Sequence, residues 1–165
     1  MNNSFCVLKR NGSMEEVSFD KVTRRIRKLC YGLNNINPIL VAQKVCSQIY
    51  NNVKTTELDE LAAQICISLE TTDLDYGILA SRIIISNNQK CTSPSFSETI
   101  YLLYNNTDLN GNKCPLIADD IYEIVIKNKD KLNASINYEK DYLFDYFGFK
   151  TLEKAYLMKI NGIVV

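Results

Sequence analysis

The sequence predicts a mainly α protein: an N-terminal β-hairpin lid on a four-helix bundle, then a smaller helical segment that ends in a second β-hairpin. Three observations carry this fold class. Four stretches before residue 92 repeat apolar residues at helical spacing, Asn11-Gly12 and Asn161-Gly162 each separate short β-prone runs, and Ser93-Pro94-Ser95 interrupts the pattern between regions of different character.

Taken in order, Val7-Leu8 and Val17-Ser18-Phe19 read as the strands of the first hairpin, with Asn11-Gly12 supplying residues that tolerate positive φ. Asp20 then stands as N-cap before a helix whose stripe is Val22, Ile26, Leu29 and Leu33. Gly32 is placed to end it, Asn34, Asn35 and Asn37 form a turn, and Pro38 opens a second helix striped by Val41, Val45 and Ile49. Asn51 to Lys54 break the pattern. Thr55-Thr56 cap a third helix carrying Leu58, Leu61, Ala62, Ile65 and Leu69, with Thr56 and Asp59 at capping-box spacing. A fourth helix runs from about Asp75 to Asn88. Its Ile83-Ile84-Ile85 is apolar on more than one side, which puts this helix at the centre of the bundle.

Beyond the Ser-Pro-Ser boundary, Phe96, Ile100 and Leu103 give a short helix, Asn105 to Pro115 a loop, and Ile117, Ile121, Ile124 and Val125 another helix. Lys129 to Ile136 form one more. Seven of the sixteen aromatic residues then crowd between Tyr138 and Tyr156. Aromatics interleaved with lysines can stack on single-stranded nucleic acid, but Glu139, Asp141, Asp145 and Glu153 offset the basic residues here, which favours a docking or core surface. The chain closes on a hairpin with a type I′ turn at Asn161-Gly162. Its second strand stops on Ile163, Val164 and Val165, which suggests the front part of a longer polypeptide.

Composition removes several function classes. A chain of 165 residues, 46% hydrophobic and 23% charged, can bury one good core or two small ones. Nineteen basic and nineteen acidic residues cancel, against general nucleic-acid or membrane-surface binding. No apolar run is long enough to span a membrane and no signal-peptide pattern opens the chain, so a cytoplasmic location is expected. Six well-separated cysteines with no C-x-x-C and no histidine give no metal site, and the missing histidine excludes Ser-His-Asp and Cys-His catalysis within these residues. Cys30, Cys46 and Cys66 read as small apolar packing residues.

Charge is nevertheless uneven. Residues 1 to 31 hold seven Lys and Arg against Glu15, Glu16 and Asp20, a local net of plus four, so the remainder is minus four. A hairpin carrying Lys9 and Arg10 beside the free N–H groups of a helix start suits an anion such as a phosphate. A solvated basic face is the plainer alternative.

Val7, Lys9, Arg10, Asn11, Gly12, Glu15, Val17, Phe19, Asp20, Lys21, Val22, Arg25 and Ile26 spell V-x-K-R-[DN]-G followed by E-x-V-x-F-D-K-[VI] and R-I. This pattern resembles the opening of the ATP-cone, the nucleotide-sensing domain of ribonucleotide reductase large subunits. The resemblance continues at Thr55 to Asp59, Leu61 to Ala63 and Asp75 to Ile83, and through the aromatic segment to Val165, closest to class I enzymes of eukaryotes and large DNA viruses. It implies an ATP-cone over residues 5–92 and, over 93–165, a helical segment leading into a catalytic barrel whose radical-site and redox cysteines lie outside this sequence. It implies ATP as activator or dATP as inhibitor, with Mg, bound by Lys9, Arg10, Glu15, Glu16, Val17, Ser18, Phe19, Asp20, Lys21, Thr55, Asp59 and Lys90. For Asp59, charge compensation at a helix start stands beside that role. The implied partners are the remainder of the large subunit, the small radical-generating subunit and other large subunits through the cone, in deoxyribonucleotide synthesis for DNA replication. A stand-alone nucleotide-responsive regulator is the alternative, since ATP-cones also occur behind a zinc ribbon in a bacterial repressor, though the zinc ligands are missing here. A ligand-free helical interaction domain is the third.

Overall fold

Side-chain capping sets the start of some helices of this chain, as seen in the computed structural model, which describes residues 5–165. The clearest case is α2 (Pro38–Cys46). Asn37 has an extended backbone, and its side-chain oxygen accepts from Ile39 N at 3.0 Å and Leu40 N at 3.2 Å. Pro38 follows where its missing N–H costs nothing. The helix buries Val41, Ala42 and Val45 between α1 (Phe19–Arg27) and α3 (Thr55–Leu69).

Two helix starts differ from expectation. The N-cap of α1 is Ser18, not Asp20, because Ser18 keeps extended angles and Phe19 is already helical. Asp20 therefore lies in the first turn, where a negative charge complements the helix dipole. In α3 the helix begins at Thr55 with Lys54 as the residue before it, and Glu57 rather than Asp59 reaches back, accepting from Lys54 N at 3.4 Å. Asp59 is thus released from capping and turns inward.

The lid is also more than a hairpin. Strand β1 (Cys6–Leu8) pairs antiparallel with β2 (Met14–Glu16), in register Cys6 with Glu16 and Leu8 with Met14. The second strand ends before Val17, whose N–H continues the pairing to Phe5 O at 2.8 Å, and Phe19 belongs to α1. On its other edge β1 pairs parallel with the two residues of β3 (Val53–Lys54), giving the order β2-β1-β3. Asn52, at φ 64°, makes this possible by turning the chain, and its N–H donates to Cys6 O at 2.8 Å. Val7 and Val53 are paired neighbours and both are buried, so the sheet is stapled to the bundle through its central and parallel strands.

The fourth helix, α4 (Asp75–Gln89), is the bundle's central element. Nine of its fifteen residues are buried, including Leu79 and the whole Ile83-Ile84-Ile85 run, which is why its apolar residues occupy more than one side. Its first turn anchors the α1–α2 loop: Asp75 accepts from Asn34 N at 3.1 Å and Asn35 N at 3.3 Å, and the Tyr76 hydroxyl accepts from Asn37 N at 3.0 Å. Farther along, Arg82 donates to the carbonyls of Leu29 and Tyr31 and stacks 3.9 Å over the Tyr31 ring.

Among the described residues, 5–88 and Phe144–Lys150 form one unit; Gln89–Leu143 and Thr151–Val165 form another. In the second, α5 (Phe96–Tyr104), α6 (Asp119–Lys127) and α7 (Lys129–Ser135) enclose a small core of Ile100, Leu103 and Val125, on which Ile117, Tyr122 and Leu132 pack. Ile121 and Ile124 are exposed instead, because α6 turns Tyr122 and Val125 toward that core, and of its residues only Val125 is fully buried. A 3-10 helix over Tyr138–Leu143 and α8 (Tyr146–Ala155) carry the aromatic run, of which Phe149 is buried while Phe147 and Tyr156 are exposed. Strands β4 (Lys159–Ile160) and β5 (Ile163–Val164) close on Asn161 and Gly162, both at positive φ, as a type I′ turn requires.

Replacing Asn37 by alanine removes the acceptor of two α2 N–H groups and is expected to lower the unfolding free energy by about 1 kcal/mol. Urea denaturation of Asn37→Ala against the parent checks this, with an unchanged midpoint counting against the cap.

Candidate functional site

Four cations from the lid and α1 meet two carboxylates, and the pairs differ in depth. At the outer pair Glu15, on β2, receives the ammonium groups of both Lys9 and Lys21. Lys9 is placed by the hairpin turn, in which its N–H donates to Ser13 O at 2.8 Å and its carbonyl accepts from Gly12 N at 2.9 Å. Gly12 sits at φ 80°, so that position favours glycine. Lys21 comes from the first turn of α1. The side chains of Lys9 and Lys21 are 44% and 62% exposed, so solvent screens this group strongly.

The inner group is drier. Asp59 on α3 is buried, its side chain only 10% exposed. Arg25 of α1 grips it with two bonds, Nε to Oδ1 at 3.2 Å and Nη2 to Oδ2 at 3.1 Å. Arg10 of the hairpin turn adds a third from Nη2 to Oδ2 at 3.2 Å. The same Arg10 nitrogen also donates to the side-chain oxygen of Asn87 on α4, whose amide nitrogen donates to Thr56 O at 3.3 Å. Asn87 is buried as well. A fork-shaped guanidinium on a carboxylate is the geometry that arginine, and not lysine, provides.

Among the other expected site residues, Val17 and Ser18 join β2 to α1, and the Ser18 side chain makes no cap bond to that helix. Glu16 is exposed at the end of β2. Thr55 is half-buried at the first turn of α3. Phe19 and Asp20 line an open groove between α1 and α2, with Thr23, Arg24, Arg27 and Ile39. Lys90 follows α4 and is exposed; it belongs to the second unit.

Arg25 and Asn87 were not on the expected list. For Arg25 a signal existed, since it lies four residues after Lys21 and shares its face of α1. For Asn87 the signal was a polar residue two positions after the Ile83-Ile84-Ile85 run on a largely buried helix.

Near the start of α3, the Tyr50 hydroxyl donates to Glu57 at 2.5 Å, which holds the Glu57 carboxyl below its usual range and raises the Tyr50 phenol. The buried thiol of Cys66 is a poor nucleophile, and the partly buried Cys30 and Cys46 follow it. Burial pushes Cys66 up to about 12, with nearby Cys30 adding to it, and burial also raises Cys30 and Cys46.

A hairpin tied to a helical bundle by ion pairs is the class of fold seen here, and the ATP cone domain matches residues 5–91, so the chain is a member of the ATP-cone family. Over 162 residues and 96% of this chain it is 50% identical to the ribonucleoside-diphosphate reductase large subunit of Arabidopsis thaliana and 54% identical to that of vaccinia virus, covering 20% and 21% of those proteins. It is 47% identical over 161 residues to large chain 2 of the enzyme from Saccharomyces cerevisiae, covering 18% of it. The chain thus spans about a fifth of the length of these curated relatives.

The two ion-pair groups should separate in a stability measurement. Arg25→Ala takes a fork from a buried carboxylate and is expected to cost about 3 kcal/mol, near the low end for a broken buried pair because Arg10 still holds Asp59. Lys9→Ala is expected to cost less than about 1 kcal/mol, as for exposed pairs. Guanidinium denaturation of both variants decides it: equal losses would mean that burial does not separate them.

Proposed function

We propose that this chain is the allosteric nucleotide-binding part of a ribonucleoside-diphosphate reductase large subunit, taking ATP or dATP as effector, in deoxyribonucleotide synthesis. The observation that carries this reading is the excess of cation in the two ion-pair groups. Lys9 and Lys21 share one carboxylate, and Arg10 and Arg25 share another, so each group keeps a net charge of plus one. Four donors over two acids, within the family-matched residues, suit a polyphosphate, which adds several strong acceptor oxygens.

In this reading Lys9, Arg10 and Lys21 receive the triphosphate, together with backbone N–H groups of the segment Glu15 to Lys21 at the uncapped start of α1. Thr55 and Asp59, at the start of α3, lie toward the ribose and adenine. Lys90 is carried over from the family's pattern as a further phosphate contact. Mg arrives with the nucleotide. Residues 5–92 carry the response, and 93–165 lead toward a catalytic barrel that supplies the reaction; the protein works in the cytoplasm.

A nucleotide under the lid controls a distant active site only if it favours one of two global states, since equal affinity for both shifts nothing. Those states are different associations of large subunits through their cones, alongside the remainder of the large subunit and the small radical-generating subunit. The exposed α1–α2 face, with Arg24, Arg27, Lys28 and the 34–37 loop, is the contact surface in this reading. Like charges there oppose self-association until partner acids or nucleotide offset them.

Two measurements test the proposal. Lys9→Ala is expected to weaken ATP binding by about 1.5–3 kcal/mol, the size of a hydrogen bond to a charged group, and equal affinities by calorimetry would remove Lys9 from the phosphate site. Sedimentation of the complete large subunit should show dATP raising its mass while this chain alone responds weakly. A full-length protein indifferent to dATP would remove the inhibitory role, and no nucleotide binding at all would leave a helical interaction domain.

A further inference from the structure

Arg10 is the side chain through which the hairpin turn reaches both α3 and α4. It leaves the turn that the Lys9 and Ser13 backbone bonds define, where Asn11 Oδ1 accepts from Ser13 N at 3.1 Å, and its guanidinium ends between Asp59 and Asn87. The two acceptors differ in kind. Asp59 is already satisfied twice by Arg25, and supplies charge. Asn87 supplies direction: its amide nitrogen is committed to Thr56 O, which leaves its oxygen turned to Arg10. Asn87 is itself buried on α4, so water has little access to its bond with Arg10.

We propose that Asn87 is the positioning residue of this site, latching the β1–β2 hairpin to the bundle and orienting Arg10 for the incoming phosphate. A neutral amide suits that task. A carboxylate at 87 would bind Arg10 more strongly and add a negative charge against the ligand, whereas an amide fixes the guanidinium and leaves its charge available. The orientation of Arg10 toward phosphate rests on the nucleotide reading above; the latch itself does not.

The experiment has a ligand-free arm and a ligand arm, both on the chain as it stands. In the first, amide hydrogen exchange is followed in the parent and in Asn87→Ala. The turn amides of Lys9 and Gly12 are expected to exchange about tenfold faster in the variant while those of α2 stay unchanged. Unchanged turn amides, or equal acceleration in α2, would overturn the latch. In the second, ATP affinity is measured by calorimetry in a double-mutant cycle with Arg10→Ala. Asn87→Ala is expected to weaken ATP about tenfold in the parent and to have almost no further effect once Arg10 is gone. The same loss in both backgrounds, or none in the parent, would overturn the positioning role. If the parent binds no ATP, the nucleotide reading fails and the exchange arm still decides the latch. Should Asn87→Ala fold poorly, Asn87→Ser, too short to reach Arg10, replaces it in both arms.

Discussion

The buried carboxylate of Asp59 is the interaction on which the rest of the cone depends. A charge this far from water is costly unless it is paired and hydrogen-bonded, and Asp59 is held by three N–H donors from two arginines. Those arginines come from the lid and from α1, while Asp59 belongs to α3. Three elements that lie apart in the sequence are thus fixed in one register by a single group. The apolar packing of α2 and α4 is tolerant of direction, but a forked guanidinium on a carboxylate is not.

The outer group around Glu15 works under opposite conditions. Its lysines are long, exposed and flexible, so their attraction to Glu15 is worth little to stability, and exchange of the carboxylate for another anion costs correspondingly little. Rigidity within and exchangeable charge at the rim therefore occupy the same hairpin, on neighbouring residues Lys9 and Arg10.

What could be read from the sequence follows the range of each signal. Asn37-Pro38, Asn161-Gly162 and the triple isoleucine of α4 act through local backbone geometry or their own periodicity, and each lies where its spacing puts it. The third strand was invisible because two residues make no pattern and parallel pairing with β1 is set by tertiary contact. The starts of α1 and α3 were misplaced by one or two residues, since Ser18 and Lys54 hold the extended angles that mark the boundary. In the candidate site, the lid residues Lys9 and Arg10 could be named from their motif. Arg25 and Asn87 leave only weak local signals, a shared helix face with Lys21 and a polar residue on an apolar helix, because their partners lie 34 and 77 residues away in the chain.

The lack of histidine has a consequence for what such a device can report. Histidine alone among side chains has an ordinary pKa in the span where cellular acidity varies, and the sequence holds none, so no imidazole takes part in holding lid to bundle. Arginine forks keep their protons throughout. Whatever this domain responds to, its lid carries no imidazole switch through which a small change of acidity could act.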